Sequence, residues 1–410
     1  MKTKPKIVKE EMYIEAEFGP IKEPVKLDIL PLTVFIGPQG TGKSLISQLL
    51  YFFRNVKYLL ARLPDRKNAD HAIRKMVDGV RAGEQTHKAF APFLSENVRI
   101  TYTRQSENQS NGVALERTLS FLKNNGYKIK PLNPFKTEVE TWLQQFIDPN
   151  IAGQILSRAL FVPAERTFFS HVINPSPQLL GDQALSMATR EFISFLFTEA
   201  ANTHQQWKEE PSRRPEEANT IEQLVKEALG GHAICTQNGA YAKKWQFVLN
   251  ENTQPIDIEM VSSGQMDTWP LVSATQAIFG IETARRPLFL HIEEPESHLH
   301  PKTQIALMKM LAYLVNQGFH IVVTTHSLFV LYALNNLTMA YQKLGTEEVK
   351  KMPEPHIRLA PEKMEAYLFA DGSVASIFDK GQIDEGLLGE VLGNLETEFT
   401  HLMTHKILWD

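Results

Sequence analysis

Residues 37–44 read GPQGTGKS, and what stands on either side of them decides the fold. Before them runs VKLDILPLTVFI, residues 25–36, which ends in a near-continuous apolar stretch typical of a strand entering a sheet buried on both faces. After them, Leu45, Ile46, Leu49, Leu50 and Phe53 recur at helical spacing. Strand, glycine-rich turn and helix form the context in which G-x-x-x-x-G-K-[ST] cradles phosphate. Gly37, Gly40 and Gly42 let the backbone curl so that its N–H groups face phosphate oxygens, and the helix N-terminus adds its dipole. Pro38, Gln39 and Thr41 complete the loop. Lys43 offers a mobile positive charge to the β/γ-phosphates, and Ser44 offers a hydroxyl to Mg²⁺. Without a phosphate the same string would be a strand-to-helix turn carrying an incidental lysine.

A phosphate loop creates the expectation of a second buried strand ending in an acid near the magnesium. PLFLHIEEPE supplies it: Leu288, Phe289, Leu290 and Ile292 make the apolar run, and Glu293 and Glu294 stand at its C-terminal end, where open parallel sheets place ligands. Adjacent strand residues point in opposite directions. Glu293 is therefore expected in the metal shell and Glu294 beside an attacking water as general base. The stretch HIEEPESHLHP, residues 291–301, also holds three histidines, which invites a transition-metal reading. Zincin geometry needs two histidines at i and i+4 on one helix, and Pro295 with the strand before it breaks that spacing. His291, inside the strand, reads as a core histidine.

FHIVVTTHS is a third buried strand, Ile321–Thr325, with His326 and Ser327 where it leaves the sheet. His326 can contact the γ-phosphate or the water through a ring nitrogen, or cap the next helix, although Ser327 is the better cap. Ser262, Ser263, Gly264 and Gln265 open an apolar-periodic helix carrying Trp269, Leu271, Val272, Ala274 and Ile278. Free amides there make either a second anion site or an ordinary capping box.

The 410 residues are 43% hydrophobic and 22% charged, a globular composition long enough for two or three packed units. A net charge of −4 and a pI near 6.4 exclude a globally basic nucleic-acid binder and leave local patches open. The lone Cys235 excludes an internal disulfide framework and a cysteine-based zinc site. No stretch approaches 18 uninterrupted apolar residues, and the N-terminus lacks an apolar signal core. A soluble cytoplasmic protein without a membrane partner is expected.

GPQGTGKS, SSGQ at a helix start, an apolar strand ending in EEPE and an apolar strand ending in THS, in that order, resemble ABC-type ATPase heads. EEPESHLHP is similar to the branch that holds chromosome-maintenance heads and the overcoming-lysogenization-defect (OLD) family, more than to transporter subunits. The resemblance covers about residues 12–60 and 245–345. It implies an α/β P-loop NTPase sheet flanked by helices, with ATP and Mg²⁺ as cofactors. Gly37–Ser44 would hold nucleotide, Ser44 and Glu293 the Mg²⁺, Glu294 would be catalytic, and His326 the switch histidine. Ser262, Ser263, Gly264 and Gln265 would be the signature segment, and His298 with its neighbours the D-loop. Gln39, Val261 and Ser263 depart from the family's usual Asn, Leu and Gly, which leaves the hydrolysis rate open. Gln105, after VRITYTR, is a guess for the Q-loop, and Arg166 in FVPAERTFF could approach nucleotide or another subunit.

Residues 1–60 and 240–345 are thus expected to form the ATPase core, 61–239 a mainly helical insertion, lid or dimerisation subdomain, and 346–410 a C-terminal α+β extension. No heptad repeat persists, so no long coiled-coil arm is expected. Arg54–Arg81 carries eight basic residues against three acidic ones, either a phosphate or partner surface or a solvated face. The tail has no Asp-x-Asp, so no nuclease in cis is inferred. The resemblance further implies a homodimer or higher oligomer closing around ATP and controlling a separate effector, a toxin or nuclease, as the sensor of an anti-phage system. Alternatives are an ATP-stabilised scaffold that sequesters its partner, a DNA repair or maintenance ATPase that binds DNA, and, more weakly, a transporter subunit.

Overall fold

The computed structural model describes residues 7–54, 93, 98–106, 115–122, 126–128, 158–171, 186–238, 242–251, 254–281, 287–384, 386, 397–401 and 403. At its centre lies a six-stranded sheet. Its order is β14 (Ser373–Ser376), β13 (Met364–Ala370), β3 (Leu32–Ile36), β12 (His320–Thr325), β11 (Pro287–Glu293) and β7 (Arg158–Val162). All but β14 run parallel. Register aligns their exits: Ile36 pairs with Thr325, Thr324 with Glu293, and Ile292 with Val162. Four connections therefore leave the sheet side by side.

Strand alternation sorts the core into two layers. Leu32, Val34 and Ile36 face the helices, with Ile321, Val323, Leu290 and Ile292. Those helices are α2 (Met187–Ser194), α3 (Ala201–Glu209), α4 (Glu216–Leu229), α5 (Ser263–Gly280), α6 (Pro301–Asn316) and α7 (Leu328–Leu344). Phe35 and Val322 face the opposite way, onto α1 (Lys43–Arg54) and an antiparallel sheet. That sheet runs β2 (Val25–Asp28), β1 (Ile7–Ile14), β4 (Val98–Ser106), β5 (Leu115–Leu122) and β6 (Gly126–Lys128). Each fully buried Leu, Ile or Val adds roughly 1.5–3 kcal/mol, so the two-sided burial of β3 and β12 makes them the structural axis.

The expected insertion is not separable from the core. Its segment 158–162 becomes β7, beside β11, because RALFV is a short apolar strand with both faces coverable. Residues 98–128 supply strands β4–β6, so the described part of 61–239 combines strands with its helices. The expected C-terminal extension likewise places β13 against β3. Helix α2 passes through a π-helical turn, Phe195–Ala200, into α3, a continuous helical stretch within the expected insertion. The hairpin β8 (Gly231–Asn238) and β9 (Ala242–Leu249) pairs with the short β10 (Ile256–Asp257). The basic run after Arg54 lies outside the described residues, as do 129–157 of the expected insertion and most of 385–410. Among the described residues no helix is long and apolar enough to cross a membrane.

Candidate active site

The glycine-rich loop leaves β3 over β13. Gly37 has φ 145°, and a Cβ there would stand 2.0 Å from the Phe369 carbonyl oxygen, so no side chain fits. The Gly42 carbonyl accepts from the Ile46 N–H at 3.0 Å and starts α1, whose first-turn amides have no partner within the helix. Lys43 Nζ donates to the carbonyls of Gly37 (2.8 Å) and Pro38 (2.6 Å), and Thr41 Oγ1 donates to Pro38 at 2.8 Å. Burial pulls the Lys43 ammonium down, while the charges of Glu294 and Glu296 pull it up. The lysine thus already feels the charge of the carboxylates that follow β11.

Glu293 and Glu294 occupy contrasting environments, as their adjacency on a strand end requires. Glu293 is buried at 6% exposure, and burial raises its carboxyl to about 7 against the opposing pull of Ser44. Glu165 raises it further, whereas the Ala164 amide and Gln48 lower it. Its Oε1 is buried without a hydrogen-bond partner. A buried carboxylate oxygen with nothing to bond, next to a serine hydroxyl, is a hard oxygen pair that suits Mg²⁺. The two residues expected to hold the metal therefore fit it.

Glu294, by contrast, has φ 42° and a side chain 34% exposed. Its Oε2 accepts from Ser297 Oγ at 3.2 Å, and its Oε1 lies 3.2 Å from His326 Nε2. The histidine is itself fixed from behind. Glu296 Oε1 accepts from the His326 backbone N–H (2.7 Å) and from Thr325 Oγ1 (2.6 Å), a clamp the sequence did not announce. Ser327 caps α7 by accepting from the Phe329 N–H at 3.2 Å.

Arg166 overturns its expected role. It is 1% exposed and donates to four main-chain carbonyls: Asp267 (2.9 Å), Pro163 (3.0 Å), Glu293 (2.5 Å) and Glu294 (2.7 Å). A guanidinium consumed by these bonds fastens β7, β11 and α5 together and has no reach toward nucleotide. Arg54 is corrected in the same way. It is fully buried in a two-pronged pair with Glu10 and is no part of an exposed basic surface. Gln105 stands in β4 opposite Lys9, in the antiparallel sheet. The segment that reaches the Glu293 carboxylate from the next strand is instead Pro163–Glu165, after β7. FVPAE, an apolar run ending in an acid past a proline, is the same signal as FLHIEE.

Ser262 is the N-cap of α5. Its hydroxyl accepts from the Gln265 N–H at 3.4 Å, and the Gln265 side chain accepts from the Ser262 N–H at 3.0 Å. Gln265 Nε2 also donates to the Leu229 carbonyl at the end of α4. The capping-box alternative is therefore real, and the described hydrogen bonds of Ser262 and Gln265 run within this cap and to α4 rather than to the phosphate loop. Ser262 and Ser263 remain exposed. A Cβ on Gly264 would meet the His298 carbonyl oxygen at 2.9 Å, so the helix start presses on the loop after Glu294. The three histidines of 291–301 part ways. His291 is buried at 0% exposure, His298 Nδ1 pairs with the buried Asp267, and His300 Nδ1 accepts from the Lys302 N–H to cap α6.

The family model described as "AAA domain, putative AbiEii toxin, Type IV TA system" matches residues 32–331, and the chain belongs to this family. Its fold is that of a P-loop NTPase, a parallel sheet with helices and the phosphate loop between β3 and α1. No curated protein matches the chain in sequence. Among solved structures it is similar to an Smc head bound to the C-winged helix domain of ScpA, at 14% identity and TM-score 0.48, covering 92% of this chain and 98% of that one. An SMC head domain from Thermotoga maritima gives 10% identity and TM-score 0.41, covering 92% of this chain and 100% of that one. An Smc head with an extended coiled coil, bound to the C-terminal domain of ScpA derived from Pyrococcus furiosus, gives 13% and 0.43, covering 96% and 99%.

Proposed function

We propose that this chain binds ATP with Mg²⁺ and hydrolyses it to ADP and phosphate in the manner of ABC-type heads. The observation that carries the reading is the meeting of Ser44, Glu293, Glu294 and His326 at one sheet edge, with the two carboxylates in opposite environments. Ser44 and Glu293 would hold the Mg²⁺, which when bound neutralises phosphate charge. Glu294 takes a proton from water, the water oxygen bonds to the γ-phosphorus, and the bond to the bridging β–γ oxygen breaks, leaving ADP. His326, held at 3.2 Å from Glu294 and clamped by Glu296, steadies base and water.

Exposure of Ser262 and Ser263 at a helix N-terminus supports a homodimer in which this segment of one copy closes on nucleotide held by the other. The OLD-like motif EEPESHLHP and a family description naming a putative toxin support a cytoplasmic role in defence, with the cycle controlling a separate toxin or nuclease. Glu294→Gln tests the motor. It should retain ATP, accumulate closed dimers by light scattering and lose at least about 100-fold in turnover. Survival of the biological function in that variant would instead favour a scaffold in which ATP acts as structural glue, and unchanged turnover would remove Glu294 as the base.

A further inference from the structure

His291 and Glu293 are two residues apart on β11 and so share a strand face. Ser44 and Ser47 are three apart on α1 and share a helix face. The two faces meet twice. Ser44 acts on Glu293, and one step deeper Ser47 Oγ stands 3.3 Å from His291 Nδ1. The deeper contact is closed to water, since Ser47 and His291 are both 0% exposed.

The ring's orientation is fixed by its other nitrogen. Arg54 Nη1 lies 3.3 Å from His291 Nε2, and a guanidinium can only donate, so Nε2 accepts and Nδ1 carries the hydrogen that goes to Ser47. Arg54 cannot swing away, because Glu10 holds its Nε and Nη2 at 2.8 Å each. Tyr51, edge-on with its centroid 5.6 Å away, and Phe161, stacked at 6.1 Å, wall the ring.

We propose that His291 is a positioning residue, and that the Arg54–His291–Ser47 chain sets the separation of α1 from β11 and thereby the spacing of Ser44 and Glu293 at the cation. The inference rests on the ATP and Mg²⁺ reading above. A histidine that merely filled the core would leave cation affinity alone when replaced by a folded variant. One that aligns two donors changes it, as outer-shell partners of metal ligands do, by about 10–100-fold.

The test uses the full chain and Mn²⁺ as a paramagnetic stand-in, titrated with ATP present and read by EPR, alongside ATP binding in EDTA. Ser47→Ala, which removes one oxygen from a helix and should fold, is expected to weaken Mn²⁺ about tenfold or more while metal-free ATP binding stays within twofold. His291→Phe should do the same, and His291→Gln, which retains a donor and an acceptor, should recover most of the loss. If Mn²⁺ affinity in folded Ser47→Ala stays within twofold of the parent, the inference fails and the nucleotide reading stands. If Mn²⁺ does not tighten ATP binding in the parent, both fall.

Discussion

Arg166→Met tests how the site is held. The Arg166 guanidinium donates to the carbonyls of Pro163, Asp267, Glu293 and Glu294 at 2.5–3.0 Å, three of the bonds buried and the one to Glu294 part-buried. A hydrogen bond contributes about 1 kcal/mol net, and a buried carbonyl left without a donor is costlier still. Four such bonds put the loss for Arg166→Met at about 4 kcal/mol, near the diagnostic end of single substitutions. Arg166→Lys retains the charge, but an ammonium lacks the planar fork and should lose about half of that. Function should fall further than stability, because two of the four acceptors belong to Glu293 and Glu294. A shift of about 1 Å in a reacting group costs on the order of 100-fold. Urea midpoints for the three proteins, together with turnover and ATP affinity of folded Arg166→Lys, give the readout. ATP affinity should hold, since the phosphate loop is fastened separately through Lys43. If Arg166→Met stays within about 1 kcal/mol of the parent at full turnover, the staple is not what aligns the two carboxylates.

Two further outcomes concern the buried charges away from the phosphates. Glu10 and Arg54 have side chains at 0% exposure, and Tyr102 donates to the same carboxylate at 2.5 Å, so Arg54→Met should cost about 3–5 kcal/mol by stranding Glu10. Adding Glu10→Leu should recover much of it in a urea double-mutant cycle, and strict additivity would refute the coupling. His204 donates from Nε2 to the Ser273 carbonyl, and burial holds it at about 4, well below its value of 6.5 in the unfolded chain. The unfolded state therefore takes up a proton first. The stability is complete above pH 6.5 and is lost as pH falls toward 4, about 2 kcal/mol of it by pH 5. His204→Gln should flatten the urea midpoint between pH 7.5 and 5 relative to the parent, and an unchanged slope would place the acid sensitivity elsewhere.

The central strands were legible because each is an apolar run that stops at a polar chemical group: LTVFI at Gly37, LFLHI at Glu293, IVVTT at His326. Burial on both faces erases alternation and makes such runs conspicuous. β7 carries the same signal in five residues, but a short apolar run inside a long connection does not say which sheet it joins. β13 falls in the segment read as a C-terminal α+β extension, and its pairing with β3, some 330 residues earlier, leaves no local trace. The misread residues were the arginines. Arg54 was read with a basic run and Arg166 as reaching nucleotide or another subunit, because arginine is usually exposed. Only the fold supplies the Glu10 carboxylate for one and four carbonyls for the other. Glu296 does lie in the turn after β11, but its bonds to Thr325 and His326 had no local trace because those partners come from the neighbouring strand.

The charges gathered at the sheet edge bear on what can enter. Glu294 and Glu296 act on Lys43, Glu165 acts on Glu293, and Arg166 is enclosed beneath among Glu293, Glu294, Glu296 and Asp267. These carboxylates disfavour a bare polyphosphate, even though the loop amides and the α1 dipole attract it. A divalent cation reverses the balance, because it removes charge from the phosphates and from Glu293 together. The Glu293 carboxyl, raised to about 7 chiefly by burial and further by Glu165, shows that the buried Arg166 beside it does not offset its desolvation. On the proposed reading such a site would favour the nucleotide together with its metal, with Glu293 coupling the two and Glu294 left to handle the proton.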